Sequence, residues 1–191
     1  MHEKIDEIIA SEWLMFDQTQ NIGGRAPCQD DLRTFAIMRK GQLSAWDDVT
    51  LESYHRDILE AETHDRNLIS EKYAYMMRDT SPAEFARIAH LLPTVTDEKL
   101  SLIMDILPIF VIWQEELALQ YPTAIDKARP IHARDDTPYS VSFETYTKGE
   151  LMTYSIPTLT SLNRYTHQLL ERGHNMNIDI LHHMARLNSN R

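Results

Sequence analysis

Charged side chains lie at helical spacing among apolar residues in three segments of this sequence. Glu12 has Ile9 and Phe16 at that spacing, and Arg39 and Glu150 occur in similar surroundings. Acidic and basic side chains are seldom buried unless they are paired, because an unpaired charge loses its favourable hydration on burial. We therefore predict that the three residues form either a structural ion-pair network or the lining of a polar pocket. The sequence leaves both possibilities open.

Such a pocket would support acid–base chemistry on a small metabolite that carries a carboxylate, as an amino acid does. A glutamate in an apolar pocket has a raised pKa and can act as general acid or base, and a tyrosine can relay a proton. The predicted catalytic residues are Glu12, Glu150, Tyr146 and Glu116. The predicted substrate-binding residues offer amide or guanidinium groups to a carboxylate or phosphate, and they are Asn21, Arg25, Gln29, Arg39 and Gln42.

We accordingly expect a small enzyme of the lyase, cyclase or isomerase type that uses neither a metal nor an organic cofactor. Glu12 and Glu150 are the expected acid and base, and Arg25 and Arg39 are expected to hold the substrate anion. Tyr146 is expected to orient the substrate or to relay a proton.

Two other functions remain open. One is a helical non-haem iron or manganese oxygenase, because Glu52 and His55 form a Glu-x-x-His motif of the kind that binds metal in helical bundles. A dinuclear site needs two such motifs, and the chain contains one. The other is a non-catalytic regulatory domain that binds a ligand or a protein. Cys28 is a further candidate, as a nucleophile, since a helix start close after it could lower its pKa.

Length and charge narrow the class of protein. A chain of 191 residues favours a single domain, 1–191, with a substantial core. A net charge of −10 argues against a nucleic acid or an anionic membrane as the main partner. The single cysteine excludes an internal disulfide, and the first residues lack the pattern of a signal peptide. We expect a cytoplasmic protein with a small-molecule substrate and possible homo-oligomers.

Apolar spacing predicts an all-α bundle. Its central helix, near residues 100–118, is apolar nearly all round and should be buried on most sides, with a kink or junction at Pro108. Residues 121–138 form the longest irregular stretch, and the next helix is expected to start at Asp136 and to run through Tyr154. Expected helix caps include Asp30 or Asp31, Thr50, Ser81 and Thr96, and one of the two final helices is expected to run from Ser155 to Arg172.

Several motifs also resemble a bacterial family known only as domain of unknown function 4125. The resemblance covers about nine-tenths of the chain and implies a small soluble all-helical protein, with no implied reaction, substrate or cofactor. The motifs that carry it are Glu12-Trp13 through Phe16, Asn21-Ile22-Gly23-Gly24-Arg25-Ala26 with Cys28-Gln29, Phe35-Ala36-Ile37-Met38-Arg39 with Gln42, Glu71-Lys72-Tyr73-Ala74-Tyr75-Met76-Met77, Trp113-Gln114-Glu115-Glu116, and the segment from Asp136 to Leu151.

Overall fold

The computed structural model of the chain describes residues 2–20, 24–126, 128–137 and 140–189. Within these ranges the fold is all-α, as predicted, and contains no strand. Its α-helices, numbered in chain order, are α1 His2–Gln18, α2 Leu32–Leu43, α3 Asp48–Thr63, α4 Leu68–Thr80, α5 Pro82–Ile88, α6 Asp97–Gln120, α7 Phe143–Thr153, α8 Ile156–Glu171 and α9 Met176–Ser189.

Short polar side chains begin most of these helices by accepting a hydrogen bond from an otherwise unpaired backbone N–H. The predicted caps Asp31 and Thr96 are confirmed at the starts of α2 and α6, and Ser155 caps α8. Ser81 precedes α5 as expected, but its side chain forms no capping hydrogen bond, so the predicted cap is wrong there. The prediction for Thr50 is wrong, because Asp47 caps α3 and accepts from the backbone N–H of Thr50. Each cap fixes the entry point of its helix and therefore the face that the helix presents to the core.

Helix α7 begins later than the sequence suggested. The expected start at Asp136 is wrong, because Ser142 caps the helix and Phe143 is its first residue. Asp136 instead lies before the helix start. Its carboxylate accepts hydrogen bonds from the Ser142 backbone N–H at 2.5 Å and from Thr145 Oγ1 at 2.6 Å. The irregular segment is thereby fastened to the first turn of α7.

The long helix α6 is continuous through Pro108 and packs against α7, α8 and α9. Its inner face is buried, as expected for a central helix. The opposite face is exposed and carries Met104, Ile112 and Leu119, so the expected burial on most sides holds for the inner face only.

Two glycines let neighbouring helices approach closely. A Cβ atom on Gly149 would lie 2.7 Å from Met76 Cγ and 3.0 Å from the backbone oxygen of Lys72, so α7 could not pack as closely on α4 with any larger residue. A Cβ atom on Gly41 would lie 2.4 Å from Met184 Cγ, at the contact between α2 and α9. These contacts position α2, α4, α7 and α9, the helices that surround the site described below.

The buried apolar side chains form one cluster that extends from Ile5 in α1 to Met176 in α9. The cluster includes Trp46, Tyr54 and Tyr154, whose rings pack edge-on or tilted with centroids 4.9–5.9 Å apart. No helix in the described part of the chain is long and apolar enough to span a membrane.

Candidate functional site

Arg39 links two glutamates inside the core. Its Nε donates a hydrogen bond of 2.7 Å to Glu12 Oε2, and its Nη2 donates one of 2.6 Å to Glu12 Oε1. Its Nη1 donates to Glu150 Oε1 at 2.8 Å and to Gln42 Oε1 at 2.6 Å. A guanidinium suits this arrangement because its donors lie in one plane and match a carboxylate at two points. Four of its five N–H groups are thus engaged within the protein.

Two tyrosine hydroxyls also donate hydrogen bonds to the glutamates. The Tyr54 hydroxyl donates to Glu12 Oε1 at 2.5 Å, and the Tyr154 hydroxyl donates to Glu150 Oε1 at 2.7 Å. Gln42 Nε2 adds a hydrogen bond of 3.0 Å to Glu150 Oε1. Glu12 is fully buried, so this carboxylate is closed off from solvent. We call Glu12, Arg39, Tyr54, Lys72, Glu150 and Tyr154 the buried cluster.

The charges in the buried cluster balance. Lys72 Nζ lies 3.7 Å from Glu150 Oε2, so two cations face two carboxylates. Burial alone would raise the pKa of Glu150, but the charges of Arg39 and Lys72 and the hydrogen bonds from Tyr154 and Arg39 outweigh burial and lower it to about 2. The expected raised pKa is therefore wrong for Glu150, which is ionised at neutral pH and is a weak base.

Lys72, Tyr54 and Tyr154 keep their usual neutral-pH charge states. Burial disfavours the Lys72 ammonium, but the Tyr146 oxygen and the Glu150 carboxylate prevail and raise the pKa of Lys72. Burial and the adjacent carboxylates raise the pKa of Tyr54 and of Tyr154, so both phenols remain protonated. None of Lys72, Tyr54, Tyr154 and Glu150 is therefore poised to exchange a proton near pH 7.

Tyr146 is positioned differently from the tyrosines of the buried cluster. Its hydroxyl accepts a hydrogen bond of 2.6 Å from Lys72 Nζ, and no described residue accepts the proton of this hydroxyl. The guanidinium carbon of Arg129 lies 4.3 Å from the centroid of the Tyr146 ring. Tyr146 therefore links Lys72 in the interior to Arg129 at the surface.

A cavity of about 340 Å³ adjoins the buried cluster, with Arg39, Gln42, Glu150 and Tyr154 along one side. Tyr146 and Arg129 also line it. Most of the remaining wall is apolar. Its larger side chains come from α2, α6, α7, α8, α9, the link between α2 and α3, and the segment after α6: Met38, Trp46, Phe110, Leu117, Ile125, Phe143, Leu151, Leu162, Ile180, Leu181 and Met184. The volume lies in the range of about 300–1,000 Å³ that is typical of small-molecule sites.

The structure brings five of the predicted site residues together: Glu12, Arg39, Gln42, Tyr146 and Glu150. It places three others elsewhere. Arg25 is exposed and forms ion pairs with Asp17 and Asp30. Gln29 is buried and donates to the backbone oxygens of Phe16 and Thr19, which fastens the turn after α1.

Glu116 is also apart from the buried cluster, because it is exposed on α6 and accepts a hydrogen bond from Asn175 at 2.9 Å. Asn21 lies outside the described residues. The predicted roles of Arg25, Gln29 and Glu116 in substrate binding and catalysis thus gain no support from their positions.

The metal-site residues are dispersed. Glu52 forms an ion pair with Lys4, and His55 Nε2 lies 3.2 Å from Glu7 Oε2. In the described ranges, no three His, Cys, Asp or Glu side chains are grouped so that they could hold a metal ion. Cys28 is exposed in the short turn Pro27–Asp30, away from the cavity lining.

Sequence reasoning missed four residues of the site: Tyr54, Lys72, Arg129 and Tyr154. Tyr54 and Tyr154 lie at helical spacing with apolar residues, where a buried phenol that needs a partner could have been sought. Lys72 has Ile69, Tyr75 and Met76 at helical spacing and therefore had a similar signal. Arg129 lies in the irregular segment after α6 and had none.

The fold and the site define a class of small all-helical proteins with a charge-balanced buried cluster beside a largely apolar cavity. The chain belongs to the family described as protein of unknown function (DUF4125), whose model matches residues 2–189. No curated protein and no solved structure matches the chain.

Proposed function

We propose that this protein binds a small molecule with an apolar body and one polar end in the cavity beside the buried cluster. The cavity itself is the observation that carries this proposal, because a concave, mostly apolar wall with a few polar groups is the usual form of a ligand site. The buried cluster lies beside this wall and supports it, because its hydrogen bonds connect α1, α2, α3, α4 and α7. The cytoplasmic location expected from the sequence stays a prediction.

A cavity-filling substitution tests the proposal. Ile180 lines the cavity from α9 and is half-buried, whereas Ala185 on the same helix is exposed and lies outside the lining. We expect small apolar compounds found by ligand-observed NMR against the wild type to lose binding in Ile180→Trp and to retain it in Ala185→Trp. Equal binding to both variants would place the ligand elsewhere and contradict the proposal. The thermal unfolding of each variant checks that it is folded.

Proton transfer to the ligand is a second candidate function, which the contact between Lys72 and Tyr146 favours. Because the ammonium donates to the phenol oxygen, the phenol proton is free to point into the cavity. Lys72 would also stabilise the phenolate that forms when Tyr146 gives up its proton. A reaction of the isomerase, lyase or cyclase type would fit such a donor, with Tyr146 rather than Glu12 as the catalytic residue.

Deuterium incorporation tests this second function. Ligands identified by the binding screen would be incubated with the protein in D₂O, and exchange at carbon-bound hydrogens would be followed by NMR. We expect exchange with the wild type and its loss in Tyr146→Phe while binding persists. Tyr165→Phe is the matched control, since the Tyr165 hydroxyl makes no hydrogen bond with a described residue. If the wild type binds a ligand without any exchange, the protein only binds that ligand, and a catalytic role of Tyr146 toward it is excluded.

A further inference from the structure

Arg129 stands out among the charged residues of the cavity. Arg39 and Glu150 are paired with each other, so their charges cancel at the wall. Arg129 makes one hydrogen bond, from Nη1 to the backbone oxygen of Val141 at 3.2 Å, and no carboxylate of a described residue pairs with it. Most of its five N–H groups are therefore available to an acceptor that the protein itself does not provide.

Two contacts hold the side chain of Arg129 in place. Its guanidinium lies over the Tyr146 ring, 4.3 Å from the centroid, and its hydrogen bond to Val141 holds it against the residue that precedes the Ser142 cap of α7. Stacking and a single backbone bond restrict the side chain while leaving its outer N–H groups unused. Such restriction lowers the entropy that a ligand must remove on binding.

The charge of the cavity is also opposite to that of the protein. Two arginines and one glutamate line the cavity, which gives it one net positive charge, whereas the whole chain carries −10. The exposed residues Ala124, Ala128 and Arg129 mark the outer edge of the cavity, and the apolar side chains of Phe110 and Leu162 lie along its wall. A positive edge and an apolar interior together match a molecule with one anionic end.

We infer that the ligand of this cavity is a monocarboxylate with an apolar alkyl or aryl body, whose carboxylate binds Arg129 at the edge while the body lies against the apolar wall. This inference rests on the proposed binding function and specifies its ligand class. A single guanidinium matches one carboxylate through two parallel hydrogen bonds. A phosphate carries more charge than this one unpaired cation balances.

The test compares acids with their uncharged amides. Octanoate and 3-phenylpropanoate, beside octanamide and 3-phenylpropanamide, would be titrated into the full chain. Calorimetric heat would be measured together with tryptophan fluorescence, to which Trp46 in the cavity lining contributes. We expect each acid to bind about tenfold or more tightly than its amide. In Arg129→Gln we expect the acids to weaken to the level of the amides, with little change for the amides themselves.

Arg134→Gln is the matched control, because Arg134 is an exposed arginine of the same irregular segment and lies outside the cavity lining. It should leave all four affinities unchanged. Equal binding of acid and amide, or acid binding that survives Arg129→Gln, would overturn the carboxylate assignment while leaving the binding function intact. Tighter binding of octyl phosphate than of octanoate would overturn it in favour of a phosphate. No cavity-dependent binding by any of these probes would overturn both.

Discussion

Arg39 and Glu12, which are 27 residues apart in the chain, form a two-point ion pair whose hydrogen bonds measure 2.6 and 2.7 Å. The two glutamates of the buried cluster differ in their position relative to the cavity. Glu12 is enclosed by Arg39 and Tyr54 and does not line the cavity, whereas Glu150 does. The pairing of Glu12 with Arg39 and Tyr54 therefore supports the fold, whereas Glu150 forms part of the boundary of the candidate ligand site.

Replacing Arg39 should destabilise the fold strongly. Arg39→Met leaves two buried carboxylates without their principal cation, and such a loss typically costs about 3–5 kcal/mol. Arg25→Met is the matched control, because Arg25 also pairs with two carboxylates but is exposed, and solvent screening leaves exposed pairs with little effect on stability. Urea unfolding at pH 7 measures both. Similar costs for the two variants would contradict a supporting role for Arg39.

Acid should weaken the fold through Glu150. Its pKa is lowered from an ordinary value of 4.5 to about 2 in the folded protein, so its stabilising effect is fully present above about pH 4.5. This stabilisation is lost as the pH falls from about 4.5 towards 2, because the unfolded chain takes up the proton first. In Glu150→Gln that contribution is absent at every pH.

The measurement is the difference in unfolding free energy between wild type and Glu150→Gln, taken at several pH values from 7 to 2. We expect this difference to be constant above pH 4.5 and to shrink below it. A difference that stays constant down to pH 2 would show that Arg39 and Lys72 do not hold the carboxylate in its charged form.

The sequence predicted the core of the site because helical spacing alone turns Glu12, Arg39 and Glu150 inward. A helix has one period, so a charge at an apolar position is recognisable without tertiary information. Which charges meet was not predictable, because pairing depends on how α1, α2 and α7 pack against one another. Glu12 and Glu150 therefore received similar roles in the sequence interpretation, although only Glu150 lines the cavity.

Irregular segments limited the prediction in another way. Arg25 follows a glycine pair and Arg129 lies in the long stretch after α6, and neither segment has a period that indicates which way a side chain points. The sequence favoured Arg25, which binds exposed aspartates of its own neighbourhood. The structure places Arg129 at the cavity instead.

The tyrosine hydroxyls should contribute measurably to stability. Tyr154→Phe removes a hydrogen bond of 2.7 Å to the charged Glu150, and bonds to charged groups contribute about 1.5–3 kcal/mol. Because this bond also lowers the pKa of Glu150, that pKa should rise in the variant. Tyr165→Phe, in which no hydrogen bond to a described residue is lost, should change stability by less than about 0.5 kcal/mol. Equal effects in urea unfolding would contradict the prediction.

The close contact between α4 and α7 should make Gly149 sensitive to a single added methyl group. In Gly149→Ala the new Cβ would lie 2.7 Å from Met76 Cγ and 3.0 Å from the Lys72 backbone oxygen, and relieving that overlap requires α7 to move away from α4. Overpacking of this kind costs about 1–3 kcal/mol, which exceeds the gain of about 1 kcal/mol from alanine's helix propensity.

Movement of α7 would also separate Tyr146 from Lys72, since these residues lie on the two helices and are joined by a bond of 2.6 Å. We therefore expect Gly149→Ala to lower the unfolding free energy and to weaken ligand binding together. In a Met76→Ala background the nearer obstacle is absent, so the added cost of Gly149→Ala should fall, as a double-mutant cycle in urea would measure. Additive effects of the two substitutions would indicate that the Lys72 backbone, rather than the Met76 side chain, sets the distance between α4 and α7.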